Sequence, residues 1–145
     1  MQVDFYQLAG TPIEKTVPLL AAKTLENSEK MLIVADEDML LSKLDEALWA
    51  YDATAFLPHG KASDPGSEGQ PVLLSNTASA ANGAKFALIA DGKWRDETLS
   101  FDRVFYLFDD DQIDEARQAW KALSLKDDVE PRYWKQEGGR WRQGP

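Results

Sequence analysis

Met31-Leu-Ile-Val-Ala-Asp-Glu37 is an unbroken apolar run that closes on two acids. With no polar alternation and two β-branched residues, Ile33 and Val34, it reads as a strand buried on both faces, the habit of parallel sheets covered by helices. Outward from it toward the N-terminus, Ile13, Val17, Leu20, Ala21 and Leu25 recur at helical spacing as far as about Asn27. Gly10-Thr-Pro12 precedes this stretch, with Thr11 expected as N-cap and Pro12 at the first helical position; Pro18 lies inside it and is a candidate kink. Val3-Asp-Phe-Tyr-Gln-Leu8 alternates and is rich in β-formers, so it reads as a first strand.

Toward the C-terminus, Asp36 is placed to cap a second helix with Met39, Leu40, Leu44, Ala47 and Leu48 as its buried stripe, running to about Trp49. Gly60 to Gln70 is polar and rich in Gly, Pro and Ser, the composition of a loop. Val72-Leu-Leu74 and Phe86-Ala-Leu-Ile-Ala90 read as further short buried strands, with room for one helical turn in the small, polar stretch between Ser75 and Ala84. Phe101 to Phe108 is the last strong strand, and a third helix is expected from about Asp111 to Leu125, its start favoured by the acids Asp109 to Asp111 at the positive end of the helix dipole. Helices alternating with buried strands imply an α/β fold, a mainly parallel, doubly wound sheet with helices on both faces. No repeat interrupts residues 1–145, which are read as a single domain.

The chain carries 16 Lys and Arg against 25 Asp and Glu, a net charge of −9. That balance argues against wholesale binding of a polyanion. The charge is uneven: residues 1–130 are net −12, whereas residues 131–145 hold Arg132, Lys135, Arg140 and Arg142 against Glu137 alone. With no cysteine there is no disulfide framework, thiolate metal site or cysteine nucleophile, and one histidine rules out a multi-histidine metal centre. No apolar run approaches the ~20 residues of a membrane span, and the start lacks the charged and apolar regions of a secretory signal, so a cytoplasmic protein is expected.

Four constellations could carry chemistry. Asp36 and Glu37 after the buried strand, with Asp109, have the outline of a magnesium pocket, but neither Gly-x-x-x-x-Gly-Lys-Ser/Thr nor Gly-x-Gly-x-x-Gly occurs to hold phosphates, and helix capping is the simpler reading. His59, after Phe56-Leu-Pro, has no partner placed by the sequence that would make it a general base. Arg117, Trp120 and Lys121 stand at i, i+3 and i+4, so one helical face can flank an aromatic with two cations. Pattern alone favours Trp120 in a core stripe with Ile113, Ala116 and Leu123, leaving the cations solvated. Arg132-Tyr-Trp-Lys135 and Arg140-Trp-Arg142, around Gly138-Gly139, interleave cations with aromatics. Such a segment can stack on bases, or form an edge strand with Trp134 or Trp141 tucked into the core.

Val3-Asp-Phe-Tyr-Gln-Leu8, Leu44-Asp-Glu-Ala-Leu-Trp49, Phe56-Leu-Pro-His59, Pro71-Val-Leu-Leu74 and Glu115-Ala-Arg-Gln-Ala-Trp-Lys-Ala122 follow one another in an order, and over a length, that resembles the chi-subunit family of bacterial DNA polymerase III. The resemblance implies a Rossmann-like fold without its nucleotide-binding loop, no catalysis by the chain itself, no cofactor and no metal. It further implies a role as an accessory subunit of the polymerase III holoenzyme. In that role the chain would bind the acidic C-terminal tail of the single-stranded-DNA-binding protein and link it to the clamp loader, with a psi subunit as a second partner where one exists. DNA would be reached mostly through the bound protein; direct single-strand binding through the 131–145 segment is the alternative. The family's tail pocket falls on Arg117, Trp120 and Lys121, with Trp120 where Tyr is common, and Tyr106 and Phe56 are carried over as neighbours of the same pocket.

Overall fold

The computed structural model describes residues 1–9, 11–51, 58–137 and 140–143. Its frame is one sheet of eight strands: β1 (Gln2–Gln7), β2 (Met31–Val34), β3 (His59–Lys61), β4 (Val72–Ser75), β5 (Phe86–Ile89), β6 (Arg103–Phe108), β7 (Glu130–Glu137) and β8 (Arg140–Gln143). They lie in the order β3-β4-β2-β5-β6-β1-β7-β8. The first seven run parallel and β8 returns antiparallel on β7. Among the described residues three helices cover it: α1 (Ile13–Glu26), α2 (Asp38–Ala50) and α3 (Ile113–Ser124).

The unbroken apolar character of β2 follows from this layering. Met31 and Ile33 join the core beneath α1 and α2, while Leu32 and Val34 join the core on the α3 face, and all four are fully buried. Each such side chain contributes about 1.5–3 kcal/mol, so a polar residue at any of them would be costly. β1 obeys the same alternation: Val3 and Phe5 face α3, and Tyr6 and Leu8 face α1.

Several expectations need correction. The residue at the start of α1 is Pro12, not Thr11, with the helix opening at Ile13, because Thr11 N–H turns back to the Leu8 carbonyl at 2.9 Å. Glu37 precedes α2 where Asp36 was expected, since the Asp36 carboxylate is drawn to Lys93 and Arg95 instead. The Gly60–Gln70 loop yields its first residues to β3, which pairs in parallel with β4. No helix forms between Ser75 and Ala84, where Asn82 instead bonds the backbone of Met31, Gln70 and Pro71 through its side-chain amide. The third helix is preceded by a short 3-10 turn at Asp110–Gln112, and Asp109 and Gln112 form a reciprocal capping box there. The basic aromatic segment is the β7–β8 hairpin, with Trp134 and Trp141 packed on the α1-side core. The Gly138-Gly139 turn and Phe56 lie outside the described residues.

Candidate partner-binding site

α3 presents two characters because its sequence does. Ala116, Ala119 and Leu123 are buried against the sheet, while Arg117, Lys121 and Ser124 face outward. The strand the helix approaches most closely is β7. Trp120, between the buried stripe and the solvated face, is half-buried, with its ring edge-on to Phe5 at 5.1 Å between centroids. One edge of Trp120 therefore belongs to the core and the other lines a surface depression.

That depression, about 170 Å³, has a floor of Phe5, Phe108, Ile113 and Ala116, with Trp120 and Tyr133 as walls and Arg117 on its rim. Gln7 closes the end nearest β7, its side-chain oxygen accepting from the Tyr133 hydroxyl. Lys121 is exposed one helical turn beyond Arg117 and outside the depression itself. Among the described residues neither Arg117 nor Lys121 is held in an ion pair. An apolar slot beside two uncommitted cations suits a ligand that ends in a hydrophobic group and carries negative charge.

Tyr106 lies beneath this surface rather than on it. It is fully buried, packs against Phe5 at 5.2 Å and Trp94 at 5.6 Å, and donates its hydroxyl to the Gly92 carbonyl at 2.6 Å. Burial raises its pKa, and the Glu115 carboxylate adds to the effect. It supports Phe5 from below and does not reach the slot. The sequence reading overlooked Phe5, Gln7, Phe108 and Tyr133. The period-2 alternation of β1 was the available signal, since it sets Val3, Phe5 and Gln7 on one face.

The other constellations are otherwise engaged. Asp36 meets Arg95 at 2.6 Å and Lys93 at 3.1 Å. Lys93 holds its carboxyl below the usual value, and Arg95 adds to this. Among the described residues no three His, Cys, Asp or Glu side chains are grouped to hold a metal ion. The crevice at the C-terminal ends of β1, β5 and β6, about 580 Å³, is bordered by Glu14, Glu37, Asp91 and Asp109, an unfavourable setting for phosphates. Its two lysines are engaged, Lys43 with Glu14 and Lys93 with Asp36. His59 is buried, with Nε2 3.1 Å from Asp45 Oδ1 and its ring edge-on to Trp49 at 4.8 Å, so it serves the contact between α2 and β3. No described helix is long and apolar enough to cross a membrane.

The family model described as DNA polymerase III chi subunit, HolC, matches residues 1–128. The DNA polymerase III subunit chi of Escherichia coli (strain K12) is 28% identical over 116 residues, which cover 78% of this chain and 79% of the relative.

Proposed function

The chain belongs to the DNA polymerase III chi subunit family, and from that premise we propose that it is a non-catalytic accessory subunit that captures the acidic C-terminal tail of the single-stranded-DNA-binding protein. The role is that of a cytoplasmic adaptor in DNA replication, linking the coated strand to the clamp loader, with a psi subunit as the connecting partner where one is present. The reading makes residues 1–145 one binding domain.

The observation that carries the proposal is the slot between α3 and β1: an apolar floor with Arg117 on the rim and Lys121 one turn away. A peptide ending in an apolar residue places that side chain on Phe5 and Ile113 and its terminal carboxylate on the Arg117 fork, while Lys121 meets the acids that precede it. Capture of a terminal carboxylate is a known mode of peptide recognition, and Arg suits it because its planar fork binds both oxygens. Trp120 forms the wall and Tyr106 steadies Phe5 from beneath. A contact this small binds weakly, so occupancy depends on several tails offered together.

Fluorescence anisotropy with a labelled tail peptide tests this. Arg117→Ala should weaken binding about tenfold or more, the value of one charge-assisted contact, and amidating the peptide's last carboxyl should cost the wild-type protein a similar factor. Equal affinity for both proteins and both peptides refutes the pocket.

A further inference from the structure

The opposite face of the sheet carries a second groove that the tail-capture reading does not use. It lies between α1 and the β7–β8 hairpin, encloses about 280 Å³, and is walled by the rings of Tyr6, Phe86, Phe105, Trp134 and Trp141. Trp134 lies nearly parallel to Tyr6, 11° between planes and 5.9 Å between centroids, and Trp141 meets the same ring edge-on at 5.0 Å. Both tryptophans are only half-buried.

Charge in the groove runs against the rest of the molecule. In a chain of net −9, no Asp or Glu among the described residues lines it, whereas Lys23 and Arg103 do. Arg103 is preorganised: its guanidinium lies 4.6 Å from the Phe105 ring centroid, and its Nε donates to Asp4 Oδ2 at 2.6 Å. Asp4 itself is fully buried beneath the groove and presents no carboxylate to a ligand. Among the described residues Lys23 has no ion pair.

Planar rings for stacking, with cations to hold adjoining phosphates, are the two elements by which proteins take single strands without reading their sequence. We propose that this groove is a binding site for single-stranded nucleic acid, seating one base against Trp134 and Trp141 with its flanking phosphates on Lys23 and Arg103. The site is composite. The hairpin supplies the tryptophans, and α1 and β6 supply the cations, so the basic aromatic segment contributes through its rings. The acidic body limits the footprint to one or two nucleotides, and the α3 slot on the other face stays free for a peptide at the same time.

The test is a titration of tryptophan fluorescence with a ten-nucleotide oligo(dT) at low salt, beside an abasic oligomer of the same length and charge. The expected result is quenching by oligo(dT), at least fivefold weaker binding of the abasic strand, and a slope of log K against log salt near −0.7, the value for about one phosphate on a single strand, since Asp4 already matches the Arg103 charge. Lys23→Glu, at an exposed helix position, should weaken oligo(dT) binding severalfold and leave tail-peptide affinity unchanged. Trp141→Ala should weaken it more, with tail-peptide binding as the control that the protein is folded. The proposal fails if oligo(dT) does not bind, if the abasic strand binds equally well, or if Lys23→Glu has no effect. None of these outcomes bears on the α3 slot, which Arg117→Ala tests separately.

Discussion

Asp4 shows how one residue can reverse the reading of a segment. It is fully buried, yet its carboxylate accepts from Gln2 Nε2 at 2.9 Å, Arg103 Nε at 2.6 Å and Trp134 Nε1 at 3.0 Å. Those donors come from β1, β6 and β7, so the carboxylate ties three strands together. Asp4→Ala strands the Trp134 indole N–H and leaves Arg103 without its counter-charge. The expected cost is about 2–3 kcal/mol, below the value for a fully buried pair because a third of the Arg103 side chain is solvated. Urea denaturation measures it, and a loss under ~0.5 kcal/mol, the level of an ordinary surface substitution, contradicts the assignment. In the sequence Asp4 is an acid in an alternating strand, which suggests solvent. The basic aromatic segment was therefore ambiguous: partners that draw Trp134 inward, Asp4 and Tyr6 among them, stand more than a hundred residues away. The same limit applied to the slot, where spacing within α3 pointed to Arg117 and Trp120 but Phe5, Phe108 and Tyr133 come from β1, β6 and β7.

Among the elements, those with a period of their own were legible. The apolar run of β2 and the spacing of α1 and α2 each depend on neighbours in sequence, and their bounds came within about two residues. β3 is three residues containing a glycine, and it is a strand only because β4 offers an edge, which no local pattern reveals. The start of α3 depends equally on a remote residue. Gly92 has φ +73°, and a Cβ added there would sit 2.5 Å from Gln112 Cδ. The Gln112 side-chain oxygen accepts from Asp109 N–H at 2.8 Å as part of the cap. Gly92→Ala should therefore strain the loop and displace the cap together, at about 1–3 kcal/mol. Its melting temperature falls, and tail-peptide binding weakens as Ile113 and Trp120 lose register. Wild-type values for both would show that Gln112 moves aside without cost.

Across the whole molecule, titration sets the limits of stability. Asp36 and Asp91 join the ends of β2 and β5, Asp36 N–H donating to Asp91 Oδ2 at 2.9 Å, with Arg95 reaching both carboxylates. Lys93 and then Arg95 lower the pKa of Asp36. For Asp91, burial acts upward, but the Arg95 hydrogen bond leads the opposing influences and the net shift is down. Both groups hold fewer protons folded than unfolded, so their contribution is present above about pH 4 and is lost as acid protonates them. Denaturation at stepped pH should show that loss, diminished in Arg95→Ala. On the alkaline side the sign reverses. Burial pushes Tyr6 up to about 12 and raises Tyr106 as well. The folded state then keeps protons that the unfolded chain gives up, and stability should decline from about pH 10 upward, with tyrosinate absorbance appearing as the protein unfolds. The strand order also sets a timetable. Every residue of β1 from Gln2 to Gln7 is flanked by β6 on one side and β7 on the other, and both lie in the last third of the chain. A ribosome adding ~5–20 residues per second delivers Gln7 roughly 5–20 s before Arg103. Through that interval Val3, Phe5 and Tyr6 leave the exit tunnel with no strand to receive them. β1 is thus made well before either of the strands that shelter it, and must wait for both before its apolar side chains find their place.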